Sequence, residues 1–371
     1  MTGAIVSGIG ITGIGRRTDV VGRDLTRTAA LAAIEDAGLT PADVDGVATH
    51  GETPVSEVIE DLSLEVGYIG GGYNPAALLA PVISSAEAIA AGRARHVLVY
   101  RTVKMMGGAV VSSDGGGDAL ADFATLLTYH AYSAANWVAL HCQRHMHLYG
   151  TTKEQLGALA ISSRGKAALN PLAVYRDPIT MDDYLSARPV SDPLGLLDCD
   201  VPIDGSIAVV LSVPEHAASC PNRPVRIEAT GSAVGEGGWD QRPDYPVMAP
   251  VDAAADLWSR TSLTPADVDV AQLYDGFTFL TLAWLEALGF CGHGEGGAFL
   301  EGGHRIALDG ALPLNTYGGQ LSAGRMHGYW TLHEAVTQLR GLAADRQVPD
   351  AGVAVISAGG GPVAGCMLLT Q

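Results

Sequence analysis

One seven-residue sequence, LTPADVD, occurs twice in the chain, at residues 39–45 and again at residues 263–269. Each copy follows an alanine-rich stretch typical of a helix and precedes a β-like run, VATH or AQLYDGF. A Thr-Pro-Ala-Asp segment is also a general signal for the start of a helical turn, so the identity by itself has a local explanation. The matching flanks favour an internal duplication, with one copy of the same fold in each half.

The order of the predicted elements indicates an α/β fold. Short β-branched runs such as AIVSGIGITG and RHVLVYRTV alternate with helical stretches such as DLTRTAALAAIEDAG. This alternation is typical of βαβ units in a parallel or mixed sheet with helices on its faces. We predict one half over residues 1–218 and a second over residues 219–371, with the boundary in the proline-interrupted segment 214–224. Residues from about 101 to 190 have no counterpart in the second half and are predicted to form a loop insertion, which in other folds builds substrate pockets or subunit contacts.

Composition excludes several classes of protein. Hydrophobic residues make up 47% of the 371 residues and charged residues only 17%, which is too apolar for a disordered chain. The formal net charge of −18 argues against nucleic-acid binding, which needs a basic surface. The five cysteines include no C-x-x-C pair, the N-terminus does not resemble a signal peptide, and no apolar run is long enough to cross a membrane. We therefore expect a cytoplasmic protein without a membrane span, a disulfide framework or a zinc site.

Glycine is unusually abundant, with 47 residues, and it occurs in clusters. The loop GGGYNPA (70–76) precedes a predicted helix, and SAGGGPVAG (357–365) joins two predicted strands. Backbone N–H groups in such loops can bind an anionic oxygen, especially at a helix N-terminus. A plain tight turn in the first case and a simple hairpin in the second would account for the glycines equally well.

Two further stretches combine glycine with side chains that can carry chemistry. NTYGGQLSAGRMHGYW (315–330) holds Arg325 and His327 beside a closely approachable backbone. LYDGFTFL places Tyr274 and Asp275 at the end of a predicted strand, which is the usual position of catalytic groups in α/β sheets. Both stretches are therefore candidates for the active site.

Two other clusters have a structural explanation at least as good as a functional one. His141 and His145 lie one turn apart on a predicted helix, but no H-E-x-x-H pattern accompanies them, so we predict a structural role and no metal site. Asp198, Asp200 and Asp204 precede a predicted buried strand, and they suit either a polar site or the cap of a loop.

The duplicated halves and the motifs L-Y-D-G-F, N-T-Y-G-G-x-L-S-x-G and S-A-G-G-G resemble those of the thiolase superfamily. The likeness covers nearly the whole chain and is greatest to the thiolase-like lipid-transfer proteins related to the sterol carrier thiolase. It implies a thiolase-like α/β fold of two duplicated βαβαβαββ halves in a five-layered arrangement, a homodimer and acyl-CoA substrates. Coenzyme A would then arrive as part of the substrate, and no covalently bound cofactor is expected.

The chain departs from the thiolase pattern at the nucleophile. Thiolases carry a cysteine at the junction of glycine loop and helix, where this chain has Asn74, and a second one before the terminal G-G-G, where it has Ser357. The histidine of their G-H-P motif corresponds to Arg325. Because no thiolate is present at these positions, the acyl-enzyme route of a thiolase is not available.

Loss of these cysteines with retention of the glycine loops is similar to the steroid side-chain-cleaving aldolases. Those enzymes cut a 17-hydroxy steroid acyl-CoA into a 17-ketosteroid and a short acyl-CoA such as propionyl-CoA. They act with a small OB-fold protein that carries a zinc-ribbon segment, in a heterotetramer. The resemblance implies a carbon–carbon lyase that performs retro-aldol cleavage of a bulky β-hydroxyacyl-CoA. The aldolases favour a tyrosine at the position of Arg325, and this departure affects the expected steroid more than the reaction class.

The resemblance also implies roles for individual residues. Tyr274 matches a tyrosine of the aldolases and is assigned as the acid/base, with Arg325 as the cation that lowers its pKa. His327 is an alternative base, or a group that orients Tyr274, and Asp275 and Tyr317 complete the predicted catalytic set. Gly319 and residues 359–361 are the expected backbone donors to a thioester oxygen. The full set of predicted substrate-binding positions is Asn74, Gly318, Gly319, Ser357, Gly359, Gly360 and Gly361.

Two alternative functions stay open at the level of sequence. One is a thiolase-like acyltransferase of lipid or natural-product metabolism that uses another nucleophile, such as Ser357, which would need an adjacent base. The other is a non-catalytic scaffold that binds acyl-CoA or stabilises a partner.

Overall fold

The computed structural model describes residues 3–51, 53–71, 78–105, 126–235 and 237–371. In these ranges the helices are α1 (Gly22–Asp36), α2 (Val55–Leu62), α3 (Ala80–Ala90), α4 (Ala134–Tyr149), α5 (Lys153–Ala168), α6 (Met181–Leu185), α7 (Pro250–Ser259), α8 (Thr278–Ala287), α9 (Gly296–Leu300), α10 (Gly319–Ser322) and α11 (Tyr329–Leu339). The strands are β1 (Ile5–Ile11), β2 (Gly46–Thr49), β3 (Tyr68–Gly71), β4 (His96–Lys104), β5 (Pro189–Ser191), β6 (Leu194–Gly195), β7 (Asp204–Ser212), β8 (Val225–Val234), β9 (Val270–Gln272), β10 (Val353–Gly360) and β11 (Val363–Thr370).

Within the described part of the chain, nine strands form one sheet in the order β3-β2-β4-β7-β1-β8-β11-β10-β9. Strands β1 and β8 lie side by side and antiparallel where the two halves meet. Outward from β1 the order is β7, β4 and β2, and outward from β8 it is β11, β10 and β9. In both series the outermost of these pairs is parallel and the inner pairs are antiparallel. The halves therefore repeat one strand order about the β1–β8 contact, as the predicted duplication requires.

The repeated heptad makes the same contacts in both halves. The backbone N–H and hydroxyl of Thr40 donate to the Asp43 carboxylate at 2.8 and 2.7 Å, and the second copy repeats both hydrogen bonds at the same distances. The last residue of each copy accepts backbone N–H groups where a later strand begins, Asp45 at β4 and Asp269 at β10. The heptad thus caps a 3₁₀ turn and ties it to the neighbouring strand, which explains its identity better than a turn signal alone.

Glycines on the two central strands allow one helix in each half to pack directly against the sheet. A Cβ atom at Gly8 of β1 would lie 2.1 Å from the carbonyl oxygen of Ala33 in α1. A Cβ atom at Gly231 of β8 would lie at the same 2.1 Å from the carbonyl oxygen of Ala253 in α7. Because no side chain fits in either space, these glycines are required for packing and not for turns.

The helices form layers on both faces of the sheet. Leu98 and Tyr100 of β4 belong to a smaller core with α1 and α2, whereas Val97 and Val99 of the same strand belong to the main core. Alternate residues of a strand point to opposite faces, so α1 and α2 cover one face of the first half. On the other face, α3 contacts strands of the first half and β8, and α11 contacts β9 and β10 as well as β1 and β7. Helices α3 and α11 are therefore shared by both halves, as the predicted five-layered arrangement requires.

The halves differ in the connection between their last two strands. Strands β10 and β11 form a hairpin, whereas β4 and β7 are separated by residues 105–203, which include helices α4 to α6. Helix α5 of this insertion packs against α8, α9 and α10 of the second half. The predicted insertion therefore reaches across to the region that holds the candidate catalytic residues. None of the helices in the described ranges is long and apolar enough to span a bilayer.

Candidate active site

The segment after β9 is held by side chains from two of the motifs that the sequence singled out. The backbone N–H of Leu273 donates to Asn315 Oδ1 at 2.7 Å, and the N–H of Tyr274 donates to Ser357 Oγ at 3.0 Å. Ser357 lies fully buried in β10, so its hydroxyl supports the Tyr274 backbone and is not exposed as a nucleophile would be. The structure therefore brings the L-Y-D-G-F, N-T-Y-G-G and S-A-G-G-G stretches together, with Ser357 in a supporting position.

Asp275 is fully buried and holds the glycine loop that precedes α10. Its carboxylate accepts the backbone N–H groups of Gln320 at 2.9 Å and Leu321 at 3.4 Å. Gly318 and Gly319 have φ values of +101° and +64°, in the left-handed region that favours glycine. Burial raises the pKa of Asp275 to about 7, against the effect of the two N–H donors. Asp275 thus fixes the backbone at the end of the glycine loop through these two hydrogen bonds.

Lys166 of α5 anchors the other end of the same loop. Its ammonium group is buried and donates to the carbonyl oxygens of Ile306 and Leu314, each at 2.6 Å. Burial lowers the pKa of Lys166 to about 7, and the charge of Asp275 acts in the opposite direction. Leu314 directly precedes the glycine loop, so a helix of the insertion positions the loop of the second half.

An ion pair lies beside Tyr274. Arg325 Nη1 is 3.3 Å from Asp200 Oδ1. Both residues are held by backbone hydrogen bonds, since Asp200 N–H donates to the Gly276 carbonyl at 3.1 Å and Arg325 N–H to the Val201 carbonyl at 2.8 Å. The sequence indicated Arg325 as a site residue but left Asp200 undecided within an aspartate cluster. The structure pairs Asp200 with Arg325, so Asp200 lies next to a predicted site residue.

The pKa of Tyr274 is raised well above its ordinary value. Burial is the largest cause, and the charge of Asp200 adds to it. Arg325 lowers the pKa, as predicted, but by less than these two effects raise it. Burial also raises the pKa of Asp200 to about 6, again against the effect of Arg325. The phenol is therefore neutral at neutral pH, and the carboxyl beside it is close to its midpoint.

His327 is held in place by two other residues. Gln320 Oε1 accepts the backbone N–H groups of Met326 at 3.2 Å and of His327 at 2.9 Å. Nη2 of the buried Arg101, on β4, is 2.9 Å from His327 Nδ1. The pKa of His327 is lowered well below its ordinary value, first by burial and then by Arg101, Arg325 and His50. Neither Arg101 nor Gln320 carries a motif signal that a search of the sequence would recognise.

Several other predicted site residues have structural contacts of their own. Tyr317 is fully buried and stacks on Trp330 with ring centroids 5.2 Å apart, so it lies in the core beneath the loop. Gly318 N–H donates to the Asn315 carbonyl at 2.9 Å, whereas Gly319 N–H has no acceptor among the residues that the structure describes. Of the predicted glycine donors near α10, only Gly319 is thus available in that part of the chain.

The terminal glycine cluster forms the end of the β10–β11 hairpin. Gly359 and Gly360 pair with Ala364 and Val363 across the two strands. Gly361 N–H points at the sulfur of Met248, at 3.3 Å. The simple hairpin that the sequence left as an alternative accounts for these contacts, and the donor role of residues 359–361 stays a prediction. Asn74, the remaining predicted substrate-binding residue, lies outside the described residues.

The two histidines that the sequence predicted to be structural, His141 and His145, both have hydrogen-bond partners. His141 has both ring nitrogens near carbonyl oxygens, of Pro246 at 3.1 Å and Trp239 at 2.8 Å, and His145 pairs with Glu286 at 3.0 Å. No group of three or more potential metal ligands occurs in the ranges that the structure covers.

The other two members of the aspartate cluster also have partners of their own, Lys153 for Asp198 at 2.5 Å and Lys104 for Asp204 at 2.8 Å. Of the three aspartates, Asp200 is the one whose charge acts on the pKa of Tyr274.

Comparison with known proteins agrees with this fold. The family model of the thiolase C-terminal domain matches residues 231–369. The chain is 36% identical to the steroid side-chain-cleaving aldolase of Thermomonospora curvata, over 98% of this chain and 97% of that protein. It is 35% identical to the 17-hydroxy-3-oxo-4-pregnene-20-carboxyl-CoA lyase of Mycobacterium tuberculosis, over 98% of each chain. The solved structure of an Ltp2-ChsH2(DUF35) aldolase superimposes with a TM-score of 0.94 at 34% identity, covering 100% of this chain and 98% of that one.

These similarities extend over essentially the full length of both proteins in each pair. The chain belongs to the thiolase superfamily, in the branch that contains the steroid side-chain-cleaving aldolases. The predicted family and thiolase-like fold are thereby confirmed.

Proposed function

We propose that this protein is a thiolase-like carbon–carbon lyase that cleaves a bulky β-hydroxyacyl-CoA by a retro-aldol reaction. The substrate is a 17-hydroxy steroid acyl-CoA, and the products are a 17-ketosteroid and a short acyl-CoA such as propionyl-CoA. The proposal is supported by the two relatives at 36% and 35% identity, which are an aldolase and a lyase by name. Coenzyme A enters as part of the substrate, and no covalently bound cofactor takes part.

The observation that carries the proposal is the placement of Tyr274 beside the Asp200–Arg325 pair. Retro-aldol cleavage removes the proton of the β-hydroxyl group, breaks the bond between the α and β carbons, and leaves the electron pair on the thioester as an enolate. A carboxylate with a pKa of about 6 accepts a proton at neutral pH much more readily than a phenolate forms. We assign the β-hydroxyl proton to this pair, with Tyr274 relaying it towards Asp200. The proton held by this pair then returns to the α carbon of the enolate, which gives the short acyl-CoA and restores the pair.

Donors for the enolate oxygen come from the loop around α10. Gly319 N–H at the first position of that helix is the backbone donor we assign, since the N–H of Gly318 is already used in the turn. Preorganised donors of this kind stabilise developing charge because they need no reorganisation during the reaction. Asp275 and Lys166 keep the loop in place from its two ends.

The experiment that tests this function is incubation of the protein, together with its small OB-fold partner, with a 17-hydroxy steroid acyl-CoA. We expect release of a ketosteroid and of a short acyl-CoA in equal amounts. Tyr274→Phe should reduce kcat by about 10²–10⁴ without loss of the folded state, whereas Tyr129→Phe, at an exposed position, should leave turnover unchanged. If no ketone forms and a labelled acyl group stays on the protein, the chain is an acyltransferase instead.

The partners we propose are a second copy of this chain and a small OB-fold protein with a zinc-ribbon segment, in a heterotetramer. An aldolase complex of two different proteins is the structural match at a TM-score of 0.94. Strand β3 forms one edge of the sheet, and its Ile69 side chain is 62% exposed, as expected of an edge that a second copy covers. The cysteines are all free, which suits the reducing cytoplasm that we propose as its location.

A further inference from the structure

The contact between Arg101 and His327 determines which nitrogen of the imidazole carries the proton. Arg101 Nη2 lies 2.9 Å from His327 Nδ1, and a guanidinium group can only donate. Nδ1 must therefore accept, and a neutral ring then has its hydrogen on Nε2. Protonation of Nδ1 would place two N–H groups against each other, so this contact opposes the imidazolium form.

The basic groups around the ring also oppose its protonation, chiefly the two arginines. Arg101 approaches from β4, Arg325 from the loop of His327 itself, and His50 from the segment after β2, with its ring centroid 6.2 Å away. Arginine is positive at all ordinary pH values. The imidazole therefore stays neutral over the physiological range.

The Nε2 side of the ring is the accessible one. His327 is only partly buried, and Nε2 is absent from the buried polar atoms that lack a partner. No atom of the described residues forms a hydrogen bond with Nε2. A neutral ring with Nδ1 occupied and an accessible Nε2–H is a hydrogen-bond donor, and it has no free lone pair with which to act as a base.

The backbone at His327 is held in an unusual conformation. Its φ is +51°, in the left-handed region, which costs a side chain other than glycine roughly 1 kcal/mol or more. The Gln320 side chain maintains this conformation by accepting the N–H groups of residues 326 and 327. Strain of this kind persists where the surrounding structure demands it, and it is concentrated at functional sites. The ring is thus fixed in both its position and its tautomer.

We propose that His327 donates Nε2–H to the thioester oxygen of the substrate as the enolate forms, and that Arg101 is the positioning residue that maintains this tautomer. The inference rests on the proposed retro-aldol function. His327 transfers no proton in this role: the hydrogen stays on Nε2 while the substrate oxygen gains negative charge. Arg101 belongs to the first half and His327 to the second, so the donor depends on the contact between the duplicated halves.

Side-chain amides separate this role from the alternatives. The nitrogen of glutamine can take the place of Nε2, whereas asparagine ends near the position of Nδ1. We expect His327→Ala to reduce kcat by about 10²–10³ with little change in KM, as removal of an oxyanion donor does. His327→Gln should recover at least tenfold of that loss, and His327→Asn should not, although asparagine tolerates a positive φ better. Equal activity of the two amides, or greater activity of His327→Asn, would show that the backbone matters and the donor does not.

The positioning role of Arg101 is tested by pH dependence. In the unsubstituted enzyme His327 should contribute no transition to kcat between pH 5 and 8. Arg101→Gln, whose amide oxygen can accept from Nδ1–H, should add an acidic limb as the ring becomes protonated, and Arg101→Lys should not. An acidic limb in the unsubstituted enzyme that disappears in His327→Gln would show that His327 is a base, and would overturn the inference.

The tautomer can be read independently of activity by ¹⁵N NMR of the full-length protein labelled at histidine, with the His327 signals assigned by their loss in His327→Gln. We expect a protonated Nε2, an unprotonated Nδ1 and no titration down to pH 5. A proton on Nδ1 would refute the inference whatever the activity. Absence of turnover in the unsubstituted enzyme with its partner would instead refute the proposed function.

Discussion

Replacement of Gly319 by alanine should detach Asp275 from the glycine loop. Gly319 has a φ of +64°, and a Cβ atom at this position would lie 1.9 Å from Asp275 Oδ2. Real Cβ atoms essentially never lie within 3.0 Å of such a neighbour, so the carboxylate has to move by about 1 Å or more. It cannot do so and keep its hydrogen bonds of 2.9 and 3.4 Å to the backbone N–H groups of Gln320 and Leu321.

The expected cost follows from these two effects. The left-handed backbone costs alanine about 1–2 kcal/mol. Hydrogen bonds to a charged acceptor contribute about 1.5–3 kcal/mol, and a buried carboxyl that loses them finds no water to replace them. Gly319→Ala should therefore lower the free energy of unfolding by about 2.5–5 kcal/mol. Turnover should fall at least tenfold, because the same loop carries the backbone donor that we assign to the thioester oxygen.

Two other glycines serve as controls. Gly341 has a φ of +73°, and no heavy atom lies within 4 Å of the place that a Cβ atom would take, so Gly341→Ala measures the backbone strain alone, about 1–2 kcal/mol. Gly165 is exposed on α5 with ordinary φ and equally open space, so Gly165→Ala should stabilise the protein by up to about 1 kcal/mol. Urea unfolding followed by circular dichroism gives the three values under one condition.

The reasoning fails if Gly319→Ala unfolds at the same urea concentration as Gly341→Ala. It also fails if Gly319→Ala is destabilised as expected but retains full turnover, because the loop geometry would then have no part in the reaction.

Two further predictions concern charge and assembly. Burial raises the pKa of Asp200 to about 6, so the folded protein keeps a proton that the unfolded chain releases, and the free energy of unfolding falls as the pH rises from 4 to 6. Asp200→Asn should remove up to about 3 kcal/mol of this fall, which urea unfolding at several pH values measures; an unchanged slope would contradict the raised pKa. Ile69→Lys at the exposed β3 edge should convert a dimer to a monomer in light scattering, whereas Leu342→Lys, which is similarly exposed, should not. A dimer that survives Ile69→Lys is not formed through this edge.

The sequence predicted the fold well because the signals that specify it are local and repeated. The heptad at residues 39–45 and 263–269 encodes contacts within its own seven residues, and its last aspartate contacts the start of a later strand, β4 or β10. These contacts recur in both copies of the heptad, so the identical residues correctly predicted the same local structure. The insertion was predicted for the opposite reason, since residues from about 101 to 190 had nothing to match in the second half. Its packing on the second half depends on long-range contacts that no local pattern records.

The structure places several of the predicted site residues around one loop, whereas their roles stay predictions. Tyr274, Asp275 and Arg325 were selected because they follow strands or glycines, and they do lie around one loop. What each side chain does depends on atoms far away in the sequence. Ser357 carries a hydroxyl group that could serve as a nucleophile, but this hydroxyl accepts the backbone N–H of Tyr274 instead. Tyr317 belongs to a glycine motif and stacks in the core. The type of a residue does not show whether its polar atom points into the active site or is used within the core.

Burial decides the charge at this site in a way that residue type does not. Tyr274 and His327 both have pKa values moved away from neutrality, so the phenol keeps its proton and the imidazole gains none. The carboxyls of Asp200 and Asp275 move the other way, to about 6 and about 7. Asp275 uses its carboxylate on the loop, which leaves Asp200 as the one of these four groups that is both near its midpoint and beside Tyr274. A general base works best when its pKa lies near the working pH. In the mechanism we propose, Asp200 therefore receives the substrate proton through the phenol, because the positive charge of Arg325 does not bring the pKa of Tyr274 down.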